Sequence, residues 1–268
     1  MEEMLHIDEK FQKFIAPSAN RKAFIQDYLE KGGLTCPVLR LDGRDHLYVN
    51  FPKNQYNPMF RIKTVIAHYD RVEGSAGAND NSAAVYFLMQ WALHLSKIQG
   101  FHNVRLIFTD GEEDSGGVQK QGAFRLAETF KKLNLYNDDV FVFDACGRGN
   151  IPILSQLNFT SLTPDSFIKK YNDLENRTRS LITTACKKGL CLPTAYSDNA
   201  SFLACGIPAV TITLLPEEEA LELMKGQTPK TWKYFHTAED NLESLTKNAA
   251  ETMEGILTAL EKMVVTAD

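Results

Sequence analysis

The sequence predicts an α/β fold: three layers, α/β/α, around a central mixed and mostly parallel sheet. Three observations carry this. Short apolar runs such as Thr64–Ala67 and Val104–Phe108 alternate with longer segments of helical apolar spacing, the pattern of strand–helix–strand units. Several of these runs stop at clustered polar groups (His68 and Asp70, Asp110 to Glu113, Asp144), as at the carboxyl edge of an open α/β sheet, where ligands bind. Two early strands joined by Asp42-Gly43 read as a hairpin, so some neighbours are antiparallel. With 268 residues, 44% of them hydrophobic, the chain fits one catalytic domain, 1–268, since such domains often run to about 250 residues.

The elements follow in order. Phe11, Phe14, Ile15, Phe24, Ile25, Tyr28 and Leu29 recur at helical spacing over 7–31. Pro17 divides this stretch into two helices, Asn20 or Ser18 offers a cap to the second, and Gly32-Gly33 stops it. Strands are expected over 36–41, 46–51 and 60–67. From 82 to 95, Val85, Leu88, Met89, Ala92 and Leu95 share one helical face. A strand over 104–108, a helix over 121–133 and a buried strand over 139–143 come next. Pro164 is tolerated in the first turn of a helix over 164–185. Residues 189–199 read as a loop, then a helical turn and a strand over 209–214. A short helix over 217–224, a loop over 234–237 and a closing helix over 242–265 complete the chain.

Composition narrows the function. Net charge is −5 with no long run of either sign, which argues against nucleic acid, where a basic patch is expected. No stretch reaches the roughly 18 apolar residues of a membrane span, and the charged start lacks a signal-like apolar run. Five cysteines at irregular spacing read as reduced thiols in a cytoplasmic protein. Cys186 and Cys191 lack the spacing of a metal-binding pair.

The chemistry gathers around 65–84, VIAHYDRVEGSAGANDNSAA. An apolar strand delivers His68 and Asp70, a Gly-rich crossing follows, and Asp80 stands at a helix start. His and carboxylate ligands suit zinc. Further on, Glu112-Glu113, Asp144 and His236 also stand at strand ends or in loops. Buried unpaired carboxylates cost several kcal/mol or more, so a convergence of them calls for cations, and two divalent metals would serve. Asp80, short and set between Gly-rich backbone and core, is the best bridge. Of the adjacent glutamates, one can bind metal while the other takes a proton from water. Alone, His68 would read as a core histidine, Glu112-Glu113 as a solvated turn, Asp144 as a capping residue and His236 as a surface residue. Their sequence together favours the site.

The segments AHYD, GANDNSA, GEE, FDACG, YSDNASFLACGIPA and FHTAEDNLESL resemble, in order, the motifs of the zinc-dependent aminopeptidase family with co-catalytic metal sites. That resemblance runs from about residue 62 to the C-terminus. It implies a metallopeptidase that uses two zinc ions to hydrolyse peptides with a free N-terminus. His68 and Asp144 would hold one zinc, Glu113 and His236 the other, and Asp80 would bridge them. Glu112 would be the general base, and Asp70 would orient the His68 imidazole. A cis peptide at Asp80–Asn81 is also implied. Two departures stand out. Phe235 replaces the Tyr that some members place before the last His, leaving Tyr234 or metal to stabilise an oxyanion. Asp114-Ser115-Gly116-Gly117 replaces a commoner small apolar run and alters the pocket wall.

Glutaminyl cyclases share much of this motif set and give the alternative. They bind one zinc through the equivalents of Asp80, Glu113 and His236, with Glu112 shuttling the proton and Asp144 and Asp198 hydrogen-bonded as a pair. GANDNSA stands nearer the two-metal form. A third reading is a non-catalytic interaction module, whose sign would be a lost ligand. All five ligands and the base are present.

Overall fold

Alternating apolar runs and amphipathic segments build one eight-stranded sheet with helices on both faces. The computed structural model describes residues 4–267; the charged start, Met1 to Glu3, and Asp268 lie outside it. A helical hairpin comes first, α1 (Glu9–Ile15) and α2 (Arg21–Lys31), its second helix capped by the Asn20 side chain accepting from Ala23 N. Strands β1 (Val38–Leu41), β2 (Arg44–Tyr48) and β3 (Lys63–His68) follow, then α3 (Ala83–Leu95), β4 (Val104–Thr109), α4 (Gly122–Lys132) and β5 (Asp139–Phe143). The later part comprises β6 (Ile151–Ser155), α5 (Asp165–Cys186), β7 (Leu190–Leu192), α6 (Asn199–Ala204) and β8 (Ala209–Leu215). It closes with α7 (Glu217–Met224), α8 (Lys230–Tyr234) and α9 (Lys247–Lys262).

The strand order is β1-β2-β4-β3-β5-β8-β6-β7. Its centre, β4-β3-β5-β8, is parallel, so four strand ends open on the same edge. The β1-β2 hairpin joins β4 antiparallel, and β6 joins β8 antiparallel, so the sheet is mixed as expected. Alternate residues serve opposite faces: Val65, Ala67, Phe141 and Phe143 pack with α3, α5 and α9, while Ile66, Val140 and Val142 pack with α4 and α6.

Four boundaries differ from the sequence reading. Strand β6 was not foreseen, because Pro152 within it cannot donate to a ladder and lowers strand expectation. Strand β7 lies inside the expected 189–199 loop and is too short to carry a pattern. Tyr234 ends a helix instead of lying in a loop. The closing helix starts at Lys247, because Leu242–Ser244 makes a separate tight turn capped by the Asn241 side chain. Helix α3 is also buried all round from Ala83 to Ala92, Tyr86, Phe87 and Trp91 included. Its far side is covered by the hairpin, with Phe11, Phe14 and Tyr28 against the Tyr86 ring. Among the described residues no helix is long and apolar enough to cross a membrane.

One buried charge anchors the last helix. Lys63 Nζ donates to Leu260 O at 2.8 Å, Glu261 O at 3.1 Å and Met263 O at 2.6 Å, satisfying carbonyls that a helix end leaves open. Lys63→Met is expected to lower stability by about 2 kcal/mol through these unsatisfied carbonyls. A urea midpoint equal to that of the wild type would show that water satisfies them.

Candidate metal centre

Each polar group of the centre is placed by a strand end or by the loop after it. His68 is the last residue of β3. The crossing to α3 turns at Gly77, whose left-handed φ of 55° suits glycine; a Cβ there would stand 2.6 Å from Asp80 O. Asp80 sits in the wide turn Ala78–Ser82 before α3, and the Asp80–Asn81 peptide is cis. Its neighbours fasten it to the end of β5. Asn81 Nδ2 donates to Phe143 O at 2.8 Å, and Asn81 Oδ1 accepts from Ala145 N. Asn79 Oδ1 accepts from Gly147 N at 2.7 Å. Asp144 stands between these contacts, directly after β5.

Glu112 and Glu113 follow β4. The turn is tight enough that a Cβ on Gly122 would lie 1.8 Å from Asp110 O. Asp70 holds it: its carboxylate accepts from Glu112 N at 3.2 Å and Glu113 N at 3.0 Å. Oδ1 of Asp70 also lies 3.5 Å from His68 Nδ1. Asp70 therefore faces the imidazole, as expected, and in addition fixes both glutamates. His236 follows α8 in a left-handed conformation, φ 63°, with its side chain more than half exposed.

The groups converge on Asp80. Its Oδ1 lies 3.2 Å from His68 Nε2, and its Oδ2 lies 3.5 Å from His236 Nε2. Asp144 Oδ1 is 3.7 Å from His68 Nε2, and Glu113 Oε2 is 3.0 Å from His236 Nε2. Among the described residues three overlapping three-residue clusters result: His68–Glu112–Glu113, His68–Asp80–Asp144 and Asp80–Glu113–His236. The last two share Asp80 and hold the five residues expected as ligands. No cysteine among the described residues joins any of them.

Electrostatics explains why such a cluster suits cations. Burial pushes Glu112 up to about 9, with the charges of Asp144, Asp198 and Asp80 adding to it and His68 opposing. Burial, then Asp80, raises Glu113 to about 7. Asp80 is also buried, yet the imidazoles of His236 and His68 beside it outweigh that and hold it well below the carboxylate range. Hydrogen bonding to Asp80 lifts His236 to about 9. Burial works against a charged His68, but Asp144, Asp70 and Asp80 raise it well above its ordinary value. Both ring nitrogens of His68 and Oδ1 of Asp144 are buried without a hydrogen-bond partner. A nitrogen and two carboxylates, one of them shared, in such a pocket fit zinc.

Several supporting residues escaped the sequence reading. Asp240 Oδ1 and Oδ2 accept from Asn79 N and Asp80 N; it lies inside the FHTAEDNLESL motif, which was a usable signal. Gln121 Nε2 donates to both Glu112 O and Glu112 Oε1 at 3.1 Å. Asp198, which the sequence offered only in the cyclase alternative, is fully buried and accepts a 2.5 Å bond from Thr109 Oγ1. Asp114 pairs with Arg44 and lines a cavity of about 390 Å³ with Gln119–Gly122, whose lining includes none of the five expected ligands. Tyr234 places its ring against Lys230 and Arg148.

The sequence matches the model of peptidase family M28 over residues 51–260. The chain belongs to peptidase family M28. No curated protein matches it. Among solved structures, the chain is similar to Porphyromonas gingivalis glutaminyl cyclase: TM-score 0.70 at 16% identity, covering 97% of this chain and 99% of that one. It is also similar to Legionella pneumophila LapA: TM-score 0.67 at 17% identity, covering 94% and 71%. A third is BSAP, a zinc aminopeptidase from Bacillus subtilis: TM-score 0.58 at 21% identity, covering 81% of this chain and 48% of that one. The M28 fold thus accounts for the mixed sheet.

Because Asp80 alone belongs to both His68–Asp80–Asp144 and Asp80–Glu113–His236, Asp80→Ala is expected to strip zinc from each of these two. Elemental analysis after gel filtration reads this directly, and an unchanged zinc content would refute the bridging role.

Proposed function

We propose that this M28 protein is a two-zinc exopeptidase, most simply an aminopeptidase acting on peptides with a free N-terminus. The observation carrying this reading is the split of Asp80: one carboxylate oxygen faces His68, the other faces His236, and each histidine has its own second carboxylate. In this reading His68, Asp80 and Asp144 hold one ion, and Asp80, Glu113 and His236 the other. Bound zinc would supply Lewis-acid chemistry, acidifying water and polarising the scissile carbonyl.

The chain's own groups do the rest. Glu112 is the general base: it takes the proton of the attacking water and returns it to the leaving amine. Gln121 fixes that carboxylate from one side, and Asp70 fixes its backbone from the other. A base working near neutrality needs the value of about 9 brought down, and positive charge beside it has that effect. Six carboxylates (Asp70, Asp80, Glu112, Glu113, Asp144, Asp198) outnumber the four positive charges of two dications. The surplus favours a cationic α-amine as the substrate end.

A single-zinc glutaminyl cyclase is the second reading, favoured by the end-to-end match in fold with the P. gingivalis enzyme. It calls for a hydrogen bond between Asp144 and Asp198. Among the described residues none joins them: Asp198 bonds to Thr109, and Asp144 Oδ1 faces His68. This arrangement supports the peptidase reading.

Glu112→Gln is expected to keep its zinc and lose about 10²-fold or more in turnover; normal activity in that variant would sink the base assignment. Zinc saturation followed by removal of excess is expected to leave two ions per chain, with release of aminoacyl chromogenic groups. One ion per chain together with cyclisation of N-terminal glutamine would favour the cyclase instead.

A further inference from the structure

The segment that sets His68, Asp70 and Asp80 in place has little regular structure of its own. Residues 69–77 between β3 and the turn before α3 are irregular. Arg21, in the first turn of α2, fastens them. Its guanidinium donates to Tyr69 O at 3.0 Å, Asp70 O at 3.1 Å, Ala76 O at 2.8 Å and Ser82 Oγ at 2.6 Å. Two acceptors lie where the loop begins, one lies near its end, and one lies two residues past Asp80. The Arg21 side chain is buried, with its guanidinium over the Phe14 ring.

A second arginine ties the same parts in the opposite direction. Arg71, from the loop, donates to Ala76 O and to the carbonyls of Ile15, Ala16 and Pro17 in the hairpin connection. Ala76 O is thus shared by both guanidinium groups. Only arginine offers a rigid planar fork able to hold several acceptors at once; a lysine ammonium is a compact point charge. Arg21 precedes the 51–260 region that matches the family model, so this clamp comes from the N-terminal hairpin.

We propose that Arg21 is a positioning residue for the metal centre. Through it the α1–α2 hairpin holds residues 69–82 in the shape that turns Asp80 toward both histidines. The proposal rests on the reading of this cluster as a metal site. It makes the hairpin part of the catalytic apparatus and more than a cover for α3. Residues that support metal ligands typically contribute 10–100-fold in metal affinity, and a residue that fixes the ligand-bearing loop acts at the same level.

The test compares Arg21→Met and Arg21→Lys with Leu29→Ala, which loosens the same helix two turns away without touching the loop. The first readout needs no metal. Protected amides in the segment, such as those of Ala78, Asn79, Asp80 and Ser82, report its opening by hydrogen exchange in metal-free protein. R21M is expected to speed their exchange at least about tenfold relative to β8, R21K less, and L29A not selectively. The second readout is zinc affinity by competition with a chromogenic chelator. R21M is expected to bind zinc about 10–100-fold more weakly, with kcat reduced and KM for a short peptide unchanged, and R21K to recover part of the loss. Equal effects of R21M and L29A in both readouts would overturn the proposal and leave Arg21 as general packing. If R21M does not fold, R21K carries both measurements, and wild-type exchange and affinity in R21K would overturn the proposal. Failure of the wild type to bind zinc would refute the metal reading alone, because the exchange comparison still decides the clamp.

Discussion

Crowding of buried carboxylates at one edge of the sheet is the constraint on which the rest depends. Asp70, Asp80, Glu112, Glu113, Asp144 and Asp198 lie around two imidazoles, and burial, with their mutual repulsion added, drives Glu112, Glu113 and Asp198 above the usual carboxylate range. The protein treats the outer and inner members differently. Asp70 takes two backbone N–H donors and Asp198 the Thr109 hydroxyl. Asp80, Glu113 and Asp144 instead direct oxygens at His68 and His236. Asp70 is held by backbone donors and Asp198 at one oxygen by a hydroxyl, and the inner acids are left to shared positive charge.

That division requires a rigid frame, because a carboxylate displaced by an ångström finds a different partner. Parallel pairing of β4, β3, β5 and β8 supplies it by bringing successive strand ends to one level. Loops complete it through side chains that bond to backbone: Asn79 and Asn81 join the Asp80 turn to the end of β5, and Asp240 joins it to the segment after His236. Asp80 is consequently the most heavily braced residue of the centre. His236 is the exposed member.

Much of this was legible in the chain itself. The apolar runs ending in His68, Glu112-Glu113 and Asp144 announce strand ends with chemistry, and the alternation of runs and helical segments announces the α/β architecture. Other parts were not legible, for identifiable reasons. Pro152 masks β6, and the three residues of β7 carry no period. The all-round burial of α3 depends on a hairpin packing over its far face, so its sequence shows only an apolar bias. Gln121 and Thr109 look like ordinary polar residues, because only their partners across the fold give them a role. Arg21 looks like a solvated charge at a helix start, although its side chain is buried.

The sequence by itself determined which groups exist and in what order strands present them: the ligand types, the family, and the layering of helices on a mixed sheet. These are local properties, set by side-chain chemistry and by the two- and 3.6-residue periods of strand and helix. Tertiary structure alone decided which oxygen of Asp80 meets which histidine, that Asp70 braces the glutamates as well as the imidazole, and that an arginine from the N-terminal hairpin holds the central loop. Those are contacts between residues far apart in the chain, some more than 150 positions, as between Asp80 and Asp240. Their geometry follows from strand register and helix packing, which no local pattern specifies.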